Sequence, residues 1–416
     1  MGSDFDRPVV VVGAGLAGLG CAITLHKHGV PVVIIEASDG VGGRVRSDVV
    51  DGFILDRGFQ VVLTAYPELS QFLTDDELDI CEFETGALIQ QSGTLHEFGD
   101  PFRSWRSTVP TMRSVLRASI ATPRDLLRLA ALRRNLTRGD AVDLLRGPDV
   151  PTLDALRVLG FSSSMIDHFF TPLVGGIQLD PTLSASSRMF QIILRMLFTG
   201  SAGVPSRGMG ALTTSLANQL PAQAVHLNVA VQSVSPRKVR IDSGEIDAAA
   251  VVVATDGPHA AELLGTAPPT SRPASCVWFD APEPPTDRRL IILDGESSGP
   301  VANVAVMSNV SKRYAPPGRH LIAAACPGVF DAEIENASRA QLAGWFGSDV
   351  ESWRTLRVDA IKHGQPGQAP RFSPKKSVRV TEGLYVCGDH RDTASIQGAL
   401  HSGRRCAEAV LRDAHA

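Results

Sequence analysis

Gly13, Gly15 and Gly18 stand in the order G-x-G-x-x-G, and an acid, Glu36, follows 18 residues after the last of them. Residues of these types at this spacing suit a dinucleotide. Gly13 permits a tight turn, Gly15 lets the backbone approach a pyrophosphate, and Gly18 lets a helix lie close to a sheet. A carboxylate at position 36 is placed to take both hydroxyls of an adenosine ribose. The surrounding pattern supplies the elements such a site needs. Val9–Val12 reads as a buried strand, a helix opens at Leu16-Ala17-Gly18, and Val32–Ile35 reads as a second strand ending at Glu36. The N-terminus of that helix presents free N–H groups and a partial positive charge to the phosphates.

The residues that follow narrow the dinucleotide. Glu36-Ala37-Ser38 leads to Gly42-Gly43-Arg44, then to Gly52-Phe-Ile-Leu-Asp56-Arg57-Gly58-Phe59. A guanidinium fork matches a doubly charged pyrophosphate; the bland alternative for Arg44 is a solvated surface arginine. In these motifs the chain resembles the flavin-containing amine oxidase superfamily, which includes monoamine oxidases, protoporphyrinogen oxidases and phytoene-type desaturases. The resemblance implies that Arg44 reaches the FAD pyrophosphate and that Arg57-Gly58-Phe59 passes along the isoalloxazine ring. It continues at the far end, where Gly383-Leu-Tyr-Val-Cys-Gly388-Asp389 and Ser395-Ile396-Gln397-Gly398-Ala399 match a second FAD segment. There Gly388 and Asp389 would meet the ribityl chain, and a helix opening at Ile396 would face the flavin pyrimidine ring, where its dipole favours negative charge. Gly203–Gly210 resembles the family's glycine-rich lead into a helix. His226–Val234 resembles the strand whose valine, here Val231, backs the adenine.

Length and composition agree with two interleaved domains: 416 residues exceed what one small core accommodates. With 40 basic and 44 acidic side chains, nothing draws the whole chain to nucleic acid. Six cysteines (21, 81, 276, 326, 387 and 406) form no C-x-x-C pair, so neither metal nor disulfide is expected, and a reducing cytoplasm is the default. Cys387 beside Gly388 offers a flavin tether or a small buried side chain; its apolar strand favours the latter, so non-covalent FAD is expected. The uncharged run from Pro8 to Leu25 holds the glycine motif behind Asp4 and Asp6, which sets it apart from a signal peptide. Pro/Gly-rich joints fall at 265–273, 282–285 and 364–370.

The expected architecture is α/β: a Rossmann-like, GR2-type FAD domain from residues 1–80, 203–268 and 365–416, and a substrate domain from 81–202 and 269–364. Segment 81–202 reads as helical, with apolar residues at three- and four-residue intervals over Asp125–Arg138 and Ser186–Thr199. Segment 269–364 alternates strand-like runs (Cys276–Phe279, Leu290–Leu293, Leu321–Ala325) with turns, then an amphipathic helix over Ala332–Trp345. The resemblance implies a sheet floor and helical cap around a cavity over the flavin.

The chemistry is less legible. Many amine-oxidising members place a lysine on the strand crossing the flavin face; aligned on Cys276-Val-Trp-Phe, that position is Ser275, and none of the lysines at 27, 238, 312, 362, 375 and 376 obviously replaces it. Ser395 and Ile396 stand where one wall of an aromatic cage would be, and His363-Gly-Gln-Pro-Gly lacks the other ring. What remains fits a FAD-dependent dehydrogenase or desaturase, in which flavin N5 takes a hydride from a C–H bond of a small, largely apolar substrate. An amine oxidase releasing imine and hydrogen peroxide, and a non-catalytic FAD- or lipophile-binding homologue, are the alternatives. No catalytic acid or base stands out; His168, His363 and His390 read as surface or hydrogen-bonding histidines. Gly175-Gly176 would let backbone approach the substrate. Residues 103–138 carry nine arginines opposed only by Asp125, with Trp105 and several leucines between them. This is a solvated basic face, a peripheral membrane contact, or an attractor for an anionic substrate. Electron acceptor and oligomeric state are left open.

Overall fold

The computed structural model describes residues 6–99, 114, 116 and 118–414. Val9–Val12, Val32–Ile35 and Ala250–Val253 are runs of β-branched or small residues almost wholly buried. Such runs suit a parallel sheet covered on both faces. They form the centre of a six-stranded sheet whose order is Val225–His226, Val32–Ile35, Val9–Val12, Ala250–Val253, Leu384–Val386 and Arg379–Thr381. The first five strands run parallel, and Arg379–Thr381 closes the edge antiparallel. The carboxyl ends of four of them, at Val12, Ile35, Val253 and Val386, therefore share one end of the sheet. That is where an open α/β sheet binds its ligands.

Helix Leu16–Lys27 returns across this sheet, and helix Ile396–Ala414 packs beside it. Close approach, rather than apolar patterning, sets their separation. A Cβ on Gly403 would collide with the Ala17 carbonyl oxygen and come within 3.0 Å of the Cys21 nitrogen. Gly18 is similarly pressed onto the Gly13 carbonyl, as the spacing of the glycine motif requires.

A second, seven-stranded sheet has the order Arg354–Pro366, Ser271–Ala281, His320–Pro327, Asn303–Val306, Ile291–Asp294, Gly86–Gln91 and Thr94–Gly99. It is mostly antiparallel, with one parallel pair between Ile291–Asp294 and Gly86–Gln91. One cross-strand row runs Asp359, Cys276, Ala325, Asn303, Leu293, Ile89. Over one end of this sheet lie helices Pro123–Leu136, Thr152–Val158, Thr171–Gln178 and Ser187–Thr199. They bury Phe161, Phe170 and Phe190 against Ile89, Phe98 and Leu293, with the rings edge to face at 4.9–5.9 Å.

Two local readings are corrected. Residues 81–202 are not helical throughout, because Gly86–Gln91 and Thr94–Gly99 form a hairpin that completes the second sheet. The single strand expected over His226–Val234 is two. Val225–His226 joins the first sheet, while Val231–Ser235 joins a separate three-stranded sheet. The chain turns between them at Asn228, whose φ is 58°. Of the arginine-rich segment, Arg103, Arg106, Arg113, Arg117 and Trp105 lie outside the described residues. Within it, Asp125 is a clamp: its carboxylate accepts from Thr122 N and Oγ1 and from Ser162 N and Oγ, at 2.6–2.8 Å. No helix among the described residues is long and apolar enough to cross a membrane.

The helix contact at Gly403 gives a stability prediction. Gly403→Ala should destabilise the protein by about 1–3 kcal/mol, the cost of overpacking. Gly344→Ala, in a helix where the added Cβ meets nothing within 4 Å, should gain roughly 0.5–1 kcal/mol. Urea unfolding of both variants checks the contrast, and equal shifts would refute it.

Candidate functional site

A cavity of about 1180 Å³ opens at the carboxyl ends of the first sheet and extends over one face of the second. This exceeds the roughly 300–1,000 Å³ of most small-ligand pockets. Except for Gly18, which packs the helix, every residue singled out above for a dinucleotide borders it: Gly13, Gly15, Ala17, Glu36, Ala37, Gly42, Gly43, Arg44, Arg57, Gly58, Phe59, Val231, Gly388, Asp389 and Ile396.

At one end, helix Leu16–Lys27 starts from Gly15 with no side-chain cap and no acid in its first turn. Its first-turn backbone donors therefore meet no carboxylate from their own helix. A Cβ on Gly15 would meet nothing within 4 Å, so the backbone there lies against open space. Glu36 is half-buried. Its Oε2 accepts from Ala14 N (2.7 Å), and its Oε1 accepts from Ser38 N (2.9 Å) and Oγ (2.6 Å). Asn228 N and Val229 N donate to the Ser38 and Glu36 carbonyls, which brings Val229–Val231 alongside the acid.

At mid-cavity the Arg44 guanidinium donates to the Gly364 carbonyl and to Asp389 Oδ2, both at 2.7 Å. This joins the glycine turn after Glu36 to the C-terminal motif. Arg57 is held by both oxygens of Asp48 (3.2 Å each). Gly58 N donates to Asp359 Oδ2 (3.0 Å), which also accepts from Trp278 Nε1 (2.8 Å). Beneath this segment Asp56 is fully buried, accepting from Ser47 Oγ (2.5 Å), Met209 N (2.9 Å) and Tyr314 Oη (2.8 Å). Opposite it, helix Ile396–Ala414 begins behind Ser395, whose Oγ accepts from Gly398 N (3.0 Å), and its first turn also carries no acid.

The far wall is apolar: Leu173, Ile177, Met189, Ile193 and Met196 come from two helices, Ile291 and Leu293 from the sheet. Among the described residues bordering the cavity, only Phe59 and Tyr66 carry phenyl or phenol rings.

A family model described as "Flavin containing amine oxidoreductase" matches residues 16–411. The chain belongs to this family. Its members are flavin-dependent oxidoreductases, and flavin is the cofactor class that membership implies. Putrescine oxidase from Kocuria rosea is 37% identical over 117 residues, covering 27% of this chain and 24% of that enzyme. Matches of that kind span about a quarter of the relative or less. Hydroxysqualene dehydroxylase from Rhodopseudomonas palustris is 24% identical over 98% of this chain and 99% of its own. Among solved structures, an oxidoreductase from Methanosarcina mazei shares the fold with a TM-score of 0.75 at 18% identity, over 96% of this chain and 100% of that one.

Several expectations about the flavoprotein's chemistry meet its geometry here. Ser275 borders the cavity, but its hydroxyl is engaged by the 329–331 turn, donating to the Val329 carbonyl (3.0 Å) and accepting from Asp331 N (3.1 Å). Of the lysines, Lys375 alone borders the cavity, exposed at its rim, a placement the sequence pattern did not show. Gly175 does not border the cavity and instead accommodates the Asp180 carbonyl; Gly176 borders the cavity and admits the Asn303 amide. His168 bonds the Gly295 carbonyl, and His363 pairs with Ser271 Oγ (2.7 Å). His390 is buried, which lowers its pKa to about 4, so it is neutral at pH 7. None of these three borders the cavity. Cys387 also lies outside it, buried with Cys21 and Cys406. Cys276 and Cys326 do border it, and burial raises both thiols, the latter to about 11. Sequence reasoning missed Gln178 and Asn303, two buried amides on the apolar wall. No local motif marks either.

Burial pushes the Asp56 carboxyl up to about 6. An acid whose pKa is raised by folding stabilises the folded state fully below its unfolded value, near 4, and loses that contribution as pH rises through 6. His390 works in the opposite sense over much of the same range, so the wild-type profile alone does not isolate Asp56. The difference between wild type and Asp56→Asn should shift toward wild type by about 2–3 kcal/mol as pH falls from 7 to 4. Urea midpoints across that range check it; a flat difference would contradict it.

Proposed function

We propose that the chain binds FAD non-covalently and oxidises a C–H bond of a largely apolar substrate. The observation that carries the reading is the cavity's division into a polar end built from the dinucleotide motifs and an apolar end without an aromatic cage. When bound, the flavin supplies a two-electron acceptor at N5. The residues at the polar end fit that group. The open backbone at Gly13 and Gly15 and the uncapped helix end would receive the pyrophosphate, with Arg44 adding positive charge. Glu36 would hold the ribose, and Val231 would lie against the adenine. Gly388 and Asp389 would meet the ribityl chain. The N-terminus of the helix from Ile396 would favour negative charge at the pyrimidine ring. Arg57, Gly58 and Phe59 would border the ring system.

In this assignment residues 1–80, 203–268 and 365–416 serve the cofactor, and 81–202 with 269–364 serve the substrate. The apolar wall orients the substrate and excludes water, which is most of what hydride transfer from carbon asks of a protein. The raised thiols of Cys276 and Cys326 and the remote burial of Cys387 support a cofactor held without a covalent bond. The end-to-end similarity to hydroxysqualene dehydroxylase supports an apolar substrate. Amine oxidation is the second reading, favoured by the similarity to putrescine oxidase.

Acid precipitation should leave the yellow colour in the supernatant; colour in the pellet would refute non-covalent binding. Glu36→Ala should weaken FAD binding by about 1–3 kcal/mol. Arg44→Ala should cost a similar amount, part of it from leaving the buried Asp389 carboxylate unpaired. Unchanged affinity in either variant, measured by titrating apoprotein with FAD, would remove that residue from the site.

Benzylamine and putrescine should bleach the flavin slowly under anaerobic stopped-flow. Absent ring contacts to the amine forfeit about 0.5–2 kcal/mol each. Rapid bleaching by either would restore amine oxidation as the leading function.

A further inference from the structure

The described part of the arginine-rich segment forms a surface that the reading so far leaves unused. Along helix Pro123–Leu136, Arg124, Leu127, Ala131 and Arg134 fall at intervals of three and four residues, and all four are exposed. They share one face, and the exposed Arg138 continues the row just past the helix end. The opposite face buries Leu132, Leu136 and the Asp125 carboxylate. Arg124, Arg134 and Arg138 make no side-chain ion pair among the described residues. The exposed acids Asp143 and Asp154 are each matched by their own arginine, Arg146 (3.3 Å) and Arg157 (3.8 Å), and Asp140 caps the next helix through Val142 N (3.0 Å).

Apolar side chains stand among these charges. Leu127 is 72% exposed, and Val158 and Leu159, at the end of helix Thr152–Val158, are 86% and 42% exposed. The two helices abut here. Gly160 turns the chain at φ 83°, and a Cβ on it would lie 2.9 Å from Arg128 Nη2. Asp125, three residues before Arg128, holds Ser162 N and Oγ. Leu127, Val158 and Leu159 therefore belong to one surface, with arginines on it. A solvated face explains the arginines but not the leucine and valine left in water between them. The surface also adjoins the cavity. Arg195, from the helix that carries Met189, Ile193 and Met196, donates to the Leu136 (2.5 Å), Arg138 (3.2 Å) and Gly139 (2.8 Å) carbonyls. Beyond Gly139, Ala141, Val142 and Leu145 are partly exposed and border the cavity.

We propose that this surface docks on an anionic lipid membrane, with Arg124, Arg134 and Arg138 at the headgroups and Leu127, Val158 and Leu159 reaching below them. Lipid offers both things the surface calls for: negative charge without a fixed geometry, and an apolar layer directly beneath it. Nucleic acid would supply the charge, but the exposed apolar residues here are aliphatic and give a base no ring to stack on. A second copy laid on the same face would set arginine row against arginine row. None of the six side chains borders the cavity, so the proposal stands apart from the cofactor reading.

The test sediments the holoprotein with sucrose-loaded vesicles of phosphatidylcholine alone, or of phosphatidylcholine with about 30 mol% phosphatidylserine. Binding to the anionic vesicles should exceed binding to the neutral ones about tenfold, and should fall by a similar factor between about 0.1 M and about 0.5 M salt. Replacing all three arginines (Arg124→Gln, Arg134→Gln, Arg138→Gln) should bring the two vesicle types within about twofold of each other. Leu127→Ser with Val158→Ser should keep the preference for phosphatidylserine but weaken binding to both vesicles about fivefold. Thermal midpoints and flavin content should match wild type throughout, and Arg134→Gln with Arg138→Gln replaces the triple should it fold poorly. Equal binding of wild type to both vesicles, or a triple variant that still prefers the anionic ones, would overturn the proposal. So would a dimer that Leu127→Ser dissociates, or retention on an oligonucleotide column, where vesicles are not bound.

Discussion

The carboxylate of Asp359 ties the second sheet to the cavity-lining loop that carries Gly58. It sits on the edge strand Arg354–Pro366 and accepts from Gly58 N, from Trp278 Nε1 in the adjoining strand, and from Arg357. Arg357 in turn bonds Asp48 (2.8 Å) and the Asp56 carbonyl (2.6 Å). The loop that carries Arg57, Gly58 and Phe59 is thereby registered against the second sheet by charge-assisted hydrogen bonds in a partly buried setting, where such bonds are strong. Without them the Gly58 amide and a half-buried arginine would be left unpaired. The stretch of cavity wall formed by Gly58 and Phe59 would then lose its reference to the second sheet.

A second constraint acts at the helix ends. Helices Leu16–Lys27 and Ile396–Ala414 both point their N-termini at the cavity, and both lack acids in the first turn. An acid there would favour the isolated helix through the macrodipole. Its absence leaves the positive ends of both dipoles for a ligand. The two helices are locked side by side through Gly403 and Ala17, so their orientation is fixed by backbone contact. The fold therefore gives up a local stabilising device at two places and recovers order through packing.

The first strands and the glycine turn that border the cavity were legible because their signals are contiguous: glycine spacing, apolar runs and an acid lie within single stretches of chain. Where tertiary pairing intervenes, the reading fails. His226–Val234 looked like one strand, yet backbone bonds from Asn228 and Val229 to the 36–38 segment bend it into two. The 86–99 hairpin was lost inside a segment dominated by helical periodicity, since its edge strand carries Thr94, His96 and Glu97 among apolar residues. Gln178 and Asn303 lie 125 positions apart. Asn303 approaches the helix that ends in Gln178 because Gly176 leaves room for an amide from the facing sheet. Nothing in either neighbourhood marks the pair.

The two halves of the cavity obey different electrostatics, and this bears on what enters. At the polar end the charges Arg44, Arg57 and Asp389 are each already paired within the protein. They shape a field without offering an open ion-pairing partner. Beyond them the wall of Leu173, Met189, Ile193 and Met196 offers neither a carboxylate nor a ring face. An ammonium entering that space would shed its hydration and gain little in return. A hydrocarbon loses nothing there. Selectivity in such a cavity comes from the desolvation cost imposed on a charged entrant.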